Sequence, residues 1–132
     1  MQTREQKILG ALAAKMPDDA SCLVLRPNVR RLPAMFLRHG PAQVFVYLES
    51  KGEVEKELAK LVLDVLRLLR PESPLVTETG KKRFEALSQQ DVSERMADQA
   101  LCVEIATWIT RAIEGRFQEH KAREDLARRG ST

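Results

Sequence analysis

Leu32-Pro-Ala-Met-Phe-Leu-Arg-His-Gly-Pro-Ala-Gln-Val-Phe-Val-Tyr47 decides how this chain folds. The stretch reads as helix, tight stop, helix. The stop is His39-Gly40, where glycine adopts a left-handed conformation without a side-chain clash. Pro41 then stands where a new helix begins, a position whose amide has no intrahelical partner to lose. Val44, Phe45, Val46, Tyr47 and Leu48 follow, a run that is apolar on every side and therefore predicts a buried, central helix. Arg26, Arg30, Arg31 and Arg38 form a basic segment leading into it.

Working outward, 132 residues are enough for one domain with its own core. The composition is that of an ordinary globular protein, 43% hydrophobic and 31% charged. A net charge of +3 and a pI near 9.1 permit an acidic partner such as RNA without requiring one. The cations are gathered rather than spread: the segment 26–38, the knot Lys81-Lys82-Arg83, and Arg111 to Arg129. Cys22 and Cys102 make no disulfide framework and suit a reducing compartment, with Cys102 a small core residue. The polar N-terminus carries no signal-like core and no apolar run approaches a membrane span, so the expected location is cytoplasmic.

Thr3 and Gln6 have the spacing of a capping box, after which Ile8, Leu9, Leu12 and Met16 line one helical face up to Pro17. The segment 18–28 is undecided between a short strand and a helical turn. Asn28 is a candidate cap for a helix reaching Arg38, with Pro33 kinking it or starting it afresh. Pro41 to Lys51 is the buried helix, ended by Gly52. From Glu53 to Arg70 the stripe Val54, Leu58, Leu61, Val62, Val65, Leu69 is unambiguous, and Pro71 stops it. A turn-rich connection to Thr79 and a short helix over Lys81–Leu87 follow. Asp91 with Glu94 signals the last helix, whose stripe Val92, Met96, Leu101, Ile105, Trp108, Ile109, Ala112 runs to about Phe117. No segment alternates as a strand does. The expected fold is all-α, a single compact bundle of about five to six helices over residues 1–117, with 118–132 a charged C-terminal helix extension or tail.

Enzyme chemistry finds no support. His39 and His120 have no metal partner at helix or loop spacing, and CxxC, HExxH and glycine-rich phosphate loops are absent. Glu53, Glu55 and Glu57 alternate with Lys56 and Lys60 as ordinary helix-surface pairs. No catalytic residue, cofactor, metal or small-molecule substrate is expected. A helix-turn-helix DNA reader has the right outline over 32–48, but a recognition helix must offer polar side chains to base edges, and Ala42 to Leu48 offers almost none. A phosphate-backbone binder remains: Arg31 and Arg38 are two turns apart and, with Arg30, can fork onto phosphates without reading sequence. The competing view is a solvated basic face. Phe36, Phe45 and Trp108 sit in apolar patterns that assign them to the core, so any RNA contact is expected to be electrostatic and salt-sensitive.

Residues 31–51, with Arg31, Leu32, Pro33, Gly40, Gln43, Leu48 and Lys51 at matching positions, resemble the hallmark segment of the small all-helical subunit of Cmr complexes, the type III-B RNA-guided CRISPR effectors. Ala100-Leu101 followed by Trp108, Arg111 and Glu114 is similar to the family's C-terminal segment, and Thr3-Arg4-Glu5-Gln6 to its opening helix. His39, Pro41 and Thr110 depart from the usual residues, and the tail after Phe117 lies outside the pattern. The resemblance implies an architectural, non-catalytic role in antiviral defence. Copies of the chain would stack along the backbone of the effector, beside its other subunits, and contact guide and target RNA. It selects Arg30, Arg31 and Arg38 as first nucleic-acid-binding residues, then Lys51 and Arg111, then Lys81, Lys82 and Arg83. Arg111 is equally placed to pair with Glu104 or Glu114 on its own helix. The alternative is a helical protein–protein adaptor whose basic surface only solubilises it.

Overall fold

The structure, a computed structural model, describes residues 2–130. Among them are eight helices and no strand: α1 (Arg4–Lys15), α2 (Asp19–Val29), α3 (Leu32–His39), α4 (Pro41–Lys51), α5 (Glu53–Leu69), α6 (Pro74–Thr77), α7 (Gly80–Gln89) and α8 (Val92–Gly130). The all-α expectation holds, with more helices than the five to six foreseen. The surplus comes from residues 18–28, which are helical, and from α6, a single turn. Ser131 and Thr132, the last two residues of the expected tail, lie outside the described residues.

Local chemistry sets the boundaries. Thr3 and Gln6 form the expected capping box: the Gln6 amide donates to Thr3 Oγ1 at 3.1 Å and the Thr3 amide to Gln6 Oε1 at 2.8 Å. Asp18 starts α2 by accepting from the Ser21 amide at 2.8 Å. Pro27 sits in the last turn of α2, where the helix is about to end and one lost backbone bond costs least. Asn28 therefore lies inside α2 rather than capping the next helix, and Pro33 begins α3 afresh as its second residue. Gly40 joins α3 to α4 at φ 81° and ψ 159°, a positive φ as expected but extended in ψ.

The core axis is the pair α5 and α8, not α4. Leu58, Val62, Val65 and Leu66 of α5 and Ile105, Ile109 and Ile113 of α8 are fully buried. Around them α1, α2 and α4 pack on α5, while α2 and α3 lie along α8. The helix expected to be apolar on every side is in fact two-faced. Val44, Phe45 and Leu48 are buried, and Phe45 meets Phe36 edge-on at 5.4 Å between centroids. Val46 and Tyr47, each 43% exposed, look out to solvent with Gln43, Ser50 and Lys51. Trp108, assigned to the core, is only partly buried against it. Cys22 and Cys102 are both buried and form no disulfide with each other, and burial raises the Cys102 pKa far above the ordinary thiol range.

One buried polar cluster ties the elements together. Asp98 of α8, 1% exposed, accepts from Arg70 at the end of α5, from Ser73 Oγ at 2.8 Å and from Gln90 Nε2 at 2.9 Å. A buried carboxylate survives only when so satisfied. Gln99 of α8 donates to the carbonyls of both Phe36 and Leu37 at 3.0 Å, which closes the C-terminal end of α3. Among the described residues no helix is long and apolar enough to cross a membrane.

Candidate nucleic-acid interface

Where α2 hands over to α3, the chain is fastened to the middle of α8. The single hydroxyl proton of Thr110 is shared between the Ala106 carbonyl of its own helix at 2.7 Å and the Val29 carbonyl at 3.1 Å, which brings the end of α2 against α8. Four residues on, Glu114 Oε1 accepts from Arg30 Nε at 2.8 Å and from Arg26 Nε at 3.1 Å. The guanidinium of Arg26 lies 3.6 Å from the ring centroid of Phe117, a stacked cation on an aromatic face. The Arg30 bond and the two neighbouring positive charges hold the Glu114 carboxyl below the usual carboxylate range, and the same bond raises the Arg30 pKa. Both arginines reach Glu114 through Nε, which leaves the outer edges of their guanidinium forks directed elsewhere.

Arg31 opens α3 and Arg38 lies near its end, both exposed on one side of the helix. Among the described residues neither makes an ion pair. Arg111, one residue past Thr110, is also exposed and stacks over Trp108 at 4.9 Å. It pairs with neither carboxylate considered for it: Glu104 is taken by Arg4 at 2.7 Å and Glu114 by Arg26 and Arg30. Arg30 and Arg31 follow Val29 directly in the chain and Arg111 follows Thr110, while Arg38 lies roughly 10 Å along α3 from Arg31.

The remaining candidates belong to a second region, around α4 and α7. Lys51 ends α4 with its ammonium 5.7 Å from the Tyr47 ring. Lys81 and Lys82 are exposed on α7, Lys81 facing Glu85 at 3.8 Å. Arg83 does not share their surface. It is 5% exposed, donates to Glu49 at 2.7 Å and to the Glu78 carbonyl at 3.0 Å, and fastens α7 to α4. Its charge is consumed inside the fold.

Two side chains of these regions were not among the site residues expected from the sequence. Arg26 sits one helical turn from Arg30, a signal visible only once 18–28 is known to be helical. Tyr47, an exposed aromatic beside Lys51, was hidden in the apolar run. Its outward phase is nevertheless written in Gln43, Ser50 and Lys51, the polar residues that share its face. Among the described residues no group of three or more His, Cys, Asp or Glu side chains is placed to hold a metal ion. The surface offers fixed cations and stacked planar groups, the equipment for gripping a phosphate backbone.

A family model described as CRISPR-associated protein (Cas_Cmr5) covers residues 2–116, from the start of α1 into the middle of α8. No curated protein and no solved structure matches the chain.

Proposed function

Because the chain belongs to the Cas_Cmr5 family, whose members are subunits of Cmr complexes of the type III-B CRISPR system, we propose that it is the non-catalytic small subunit of such an effector, stacking in copies along its backbone and holding guide and target RNA by their phosphates. The observation that supports the RNA part is the set of cations on α3, α8 and the end of α2: among the described residues Arg31 and Arg38 are exposed and make no ion pair, Arg111 is exposed and stacks on Trp108, and Arg26 and Arg30 are held on Glu114. Such cations neutralise phosphates and cannot read bases, which suits a subunit that must accept any guide. Sequence recognition is then left to pairing between guide and target, as in other RNA-guided effectors. The domain suited to this work is residues 1–117, with 118–132 an extension.

The test has two stages. The chain is tagged in its host and purified gently; a multi-subunit particle carrying short RNAs with a shared 5′ segment is expected. The triple variant Arg31→Glu, Arg38→Glu, Arg111→Glu then enters the particle but binds RNA more weakly. Losing three phosphate contacts lowers the slope of log K against log salt by about 2 to 3. A particle whose RNA affinity and salt slope are unchanged by the triple variant would assign the chain to protein–protein adaptation alone.

A further inference from the structure

The ion pairs between α2 and α8 are not built like a fastening. Thr110, Glu114 and Phe117 follow one another about a turn apart on α8, as Arg26, Val29 and Arg30 do at the end of α2. The two rows run antiparallel, so that Thr110 meets Val29, Glu114 meets Arg30 and Arg26, and Phe117 lies under Arg26. Joining the helices does not need these charges, because Val29 and Ile113, the chain neighbours of Arg30 and Glu114, are fully buried. Arginines paired with a carboxylate frequently spend their Nη groups in a two-pronged fork. Here both guanidiniums give only Nε, and to the same oxygen, Glu114 Oε1, at 3.1 Å and 2.8 Å. Among the described residues the Nη groups of Arg26 and Arg30 have no hydrogen-bond partner.

Arg26 is fixed twice, by Glu114 at its edge and by the Phe117 ring against its face, and its side chain is 26% exposed. Arg30 is 57% exposed and fixed by Glu114 alone. Two cations on one carboxylate leave the trio net positive, and the depressed pKa of Glu114 keeps that carboxylate ionised. Glu114 therefore acts on an approaching phosphate in two opposed ways. Its charge repels the anion, while its bonds hold still two long side chains that would otherwise lose rotamer freedom on gripping a ligand. Magnitudes decide between them. A charge one side chain removed from the phosphate is worth less than an exposed contact pair, about threefold in affinity. Ordering two arginines in advance is worth about fivefold or more.

We propose that Glu114 is a positioning residue: it presents the Nη edges of Arg26 and Arg30 together to one phosphodiester group of the RNA backbone, and Phe117 sets the plane of Arg26. The site thus contains an acidic residue that strengthens the binding of an anion. Arginine is required at both positions, because it can give Nε to the carboxylate and keep its Nη donors for the phosphate, whereas the donors of a lysine share one nitrogen. The inference rests on the RNA part of the function proposed above and names the group that organises two of its cations.

The test measures how tightly the purified ribonucleoprotein particle binds an RNA complementary to its guide. Glu114→Ala should weaken binding about fivefold or more although it removes a negative charge. Glu114→Gln, which keeps the shape and an acceptor, should fall between that variant and the wild type. In the Arg26→Ala, Arg30→Ala background the sign should reverse. With no guanidinium left to position, removing Glu114 should tighten binding by up to about threefold. A carboxylate that only stabilises the fold predicts a loss in both backgrounds, and one that only repels RNA predicts a gain in both; either result overturns the proposal. If the Glu114→Ala chain does not fold into the particle, Glu114→Gln is compared in the same two backgrounds, with loss in the first and gain in the second expected. The Arg31→Glu, Arg38→Glu, Arg111→Glu variant keeps the two readings apart. Weaker binding there, with no change on altering Glu114 or the pair Arg26 and Arg30, overturns the positioning role alone. Unchanged binding in every variant overturns the RNA reading with it.

Discussion

At the scale of single residues, aromatic burial and electrostatics make separable predictions. Phe45 is fully enclosed against Phe36, so Phe45→Ala leaves a cavity and should cost about 3–5 kcal/mol. Trp108 was assigned to the same core from its helical spacing, yet one side of its indole is open to solvent and carries Arg111. Trp108→Ala should therefore cost clearly less than Phe45→Ala in a urea titration; equal costs would contradict the half-buried position. Glu114 gives a pH signature. Its folded pKa is depressed by Arg30 and Arg26, so the stabilisation is complete above the unfolded carboxylate value of about 4.3 and is lost as pH falls through the lower folded value. Against Glu114→Gln, the wild type should be more stable at neutral pH, and the difference should shrink as the pH falls below about 4. A difference that persists unchanged to pH 2 would mean that the carboxylate charge contributes nothing.

Among the elements, two glycines of opposite character test the helix boundaries. Gly10 lies inside α1 with nothing within 4 Å of an added Cβ, so Gly10→Ala should stabilise by roughly 0.5–1 kcal/mol through helix propensity. Gly40 has equal room, but its φ of 81° strains any residue with a side chain, and Gly40→Ala should cost about 1–3 kcal/mol. Thermal melts giving both changes the same sign would refute the boundary argument. The elements also show why the sequence was legible in some places and opaque in others. α5 announced itself because Leu58, Leu61, Val62 and Val65 repeat at the helical period against charged neighbours. α2 did not, because Pro27 and its short apolar pattern imitate a loop. α4 was found with the correct ends but the wrong surroundings. Five consecutive apolar residues mask the phase that separates buried Val44, Phe45 and Leu48 from outward Val46 and Tyr47. Its central position was misjudged for the same reason, since burial on every side was taken to mean the middle of the bundle. That Arg30, Arg31, Arg38 and Arg111 are exposed cations follows from their polar surroundings in the sequence. The buried destiny of Arg83 was not legible, because Lys81-Lys82-Arg83 reads as one exposed knot until α7 is seen to pack on Glu49.

On the scale of the whole molecule, α8 spans both the packed body and an arm that leaves it. Thirty-nine residues make a rod about 58 Å long, but its last fully buried side chain is Ile113, and residues 121–130 are exposed throughout. An isolated helix of that length is marginal because its first turn is costly to nucleate. Here the nucleus is the packed half of α8, and extension needs only propagation, helped by His120–Glu124 at 3.0 Å and Arg123–Glu119 at 3.8 Å, both one turn apart. The arm also lies beyond the family match, which ends at residue 116. Body and arm should then be energetically independent. Ending the chain after Phe117 keeps the ring under Arg26, and the thermal midpoint should move by no more than about 2 °C, as expected when no core contact is lost. Helical ellipticity should fall in proportion to the residues removed. If the midpoint dropped by about 5 °C or more, the arm would have to be packed against the body, and the extension would count as part of the domain.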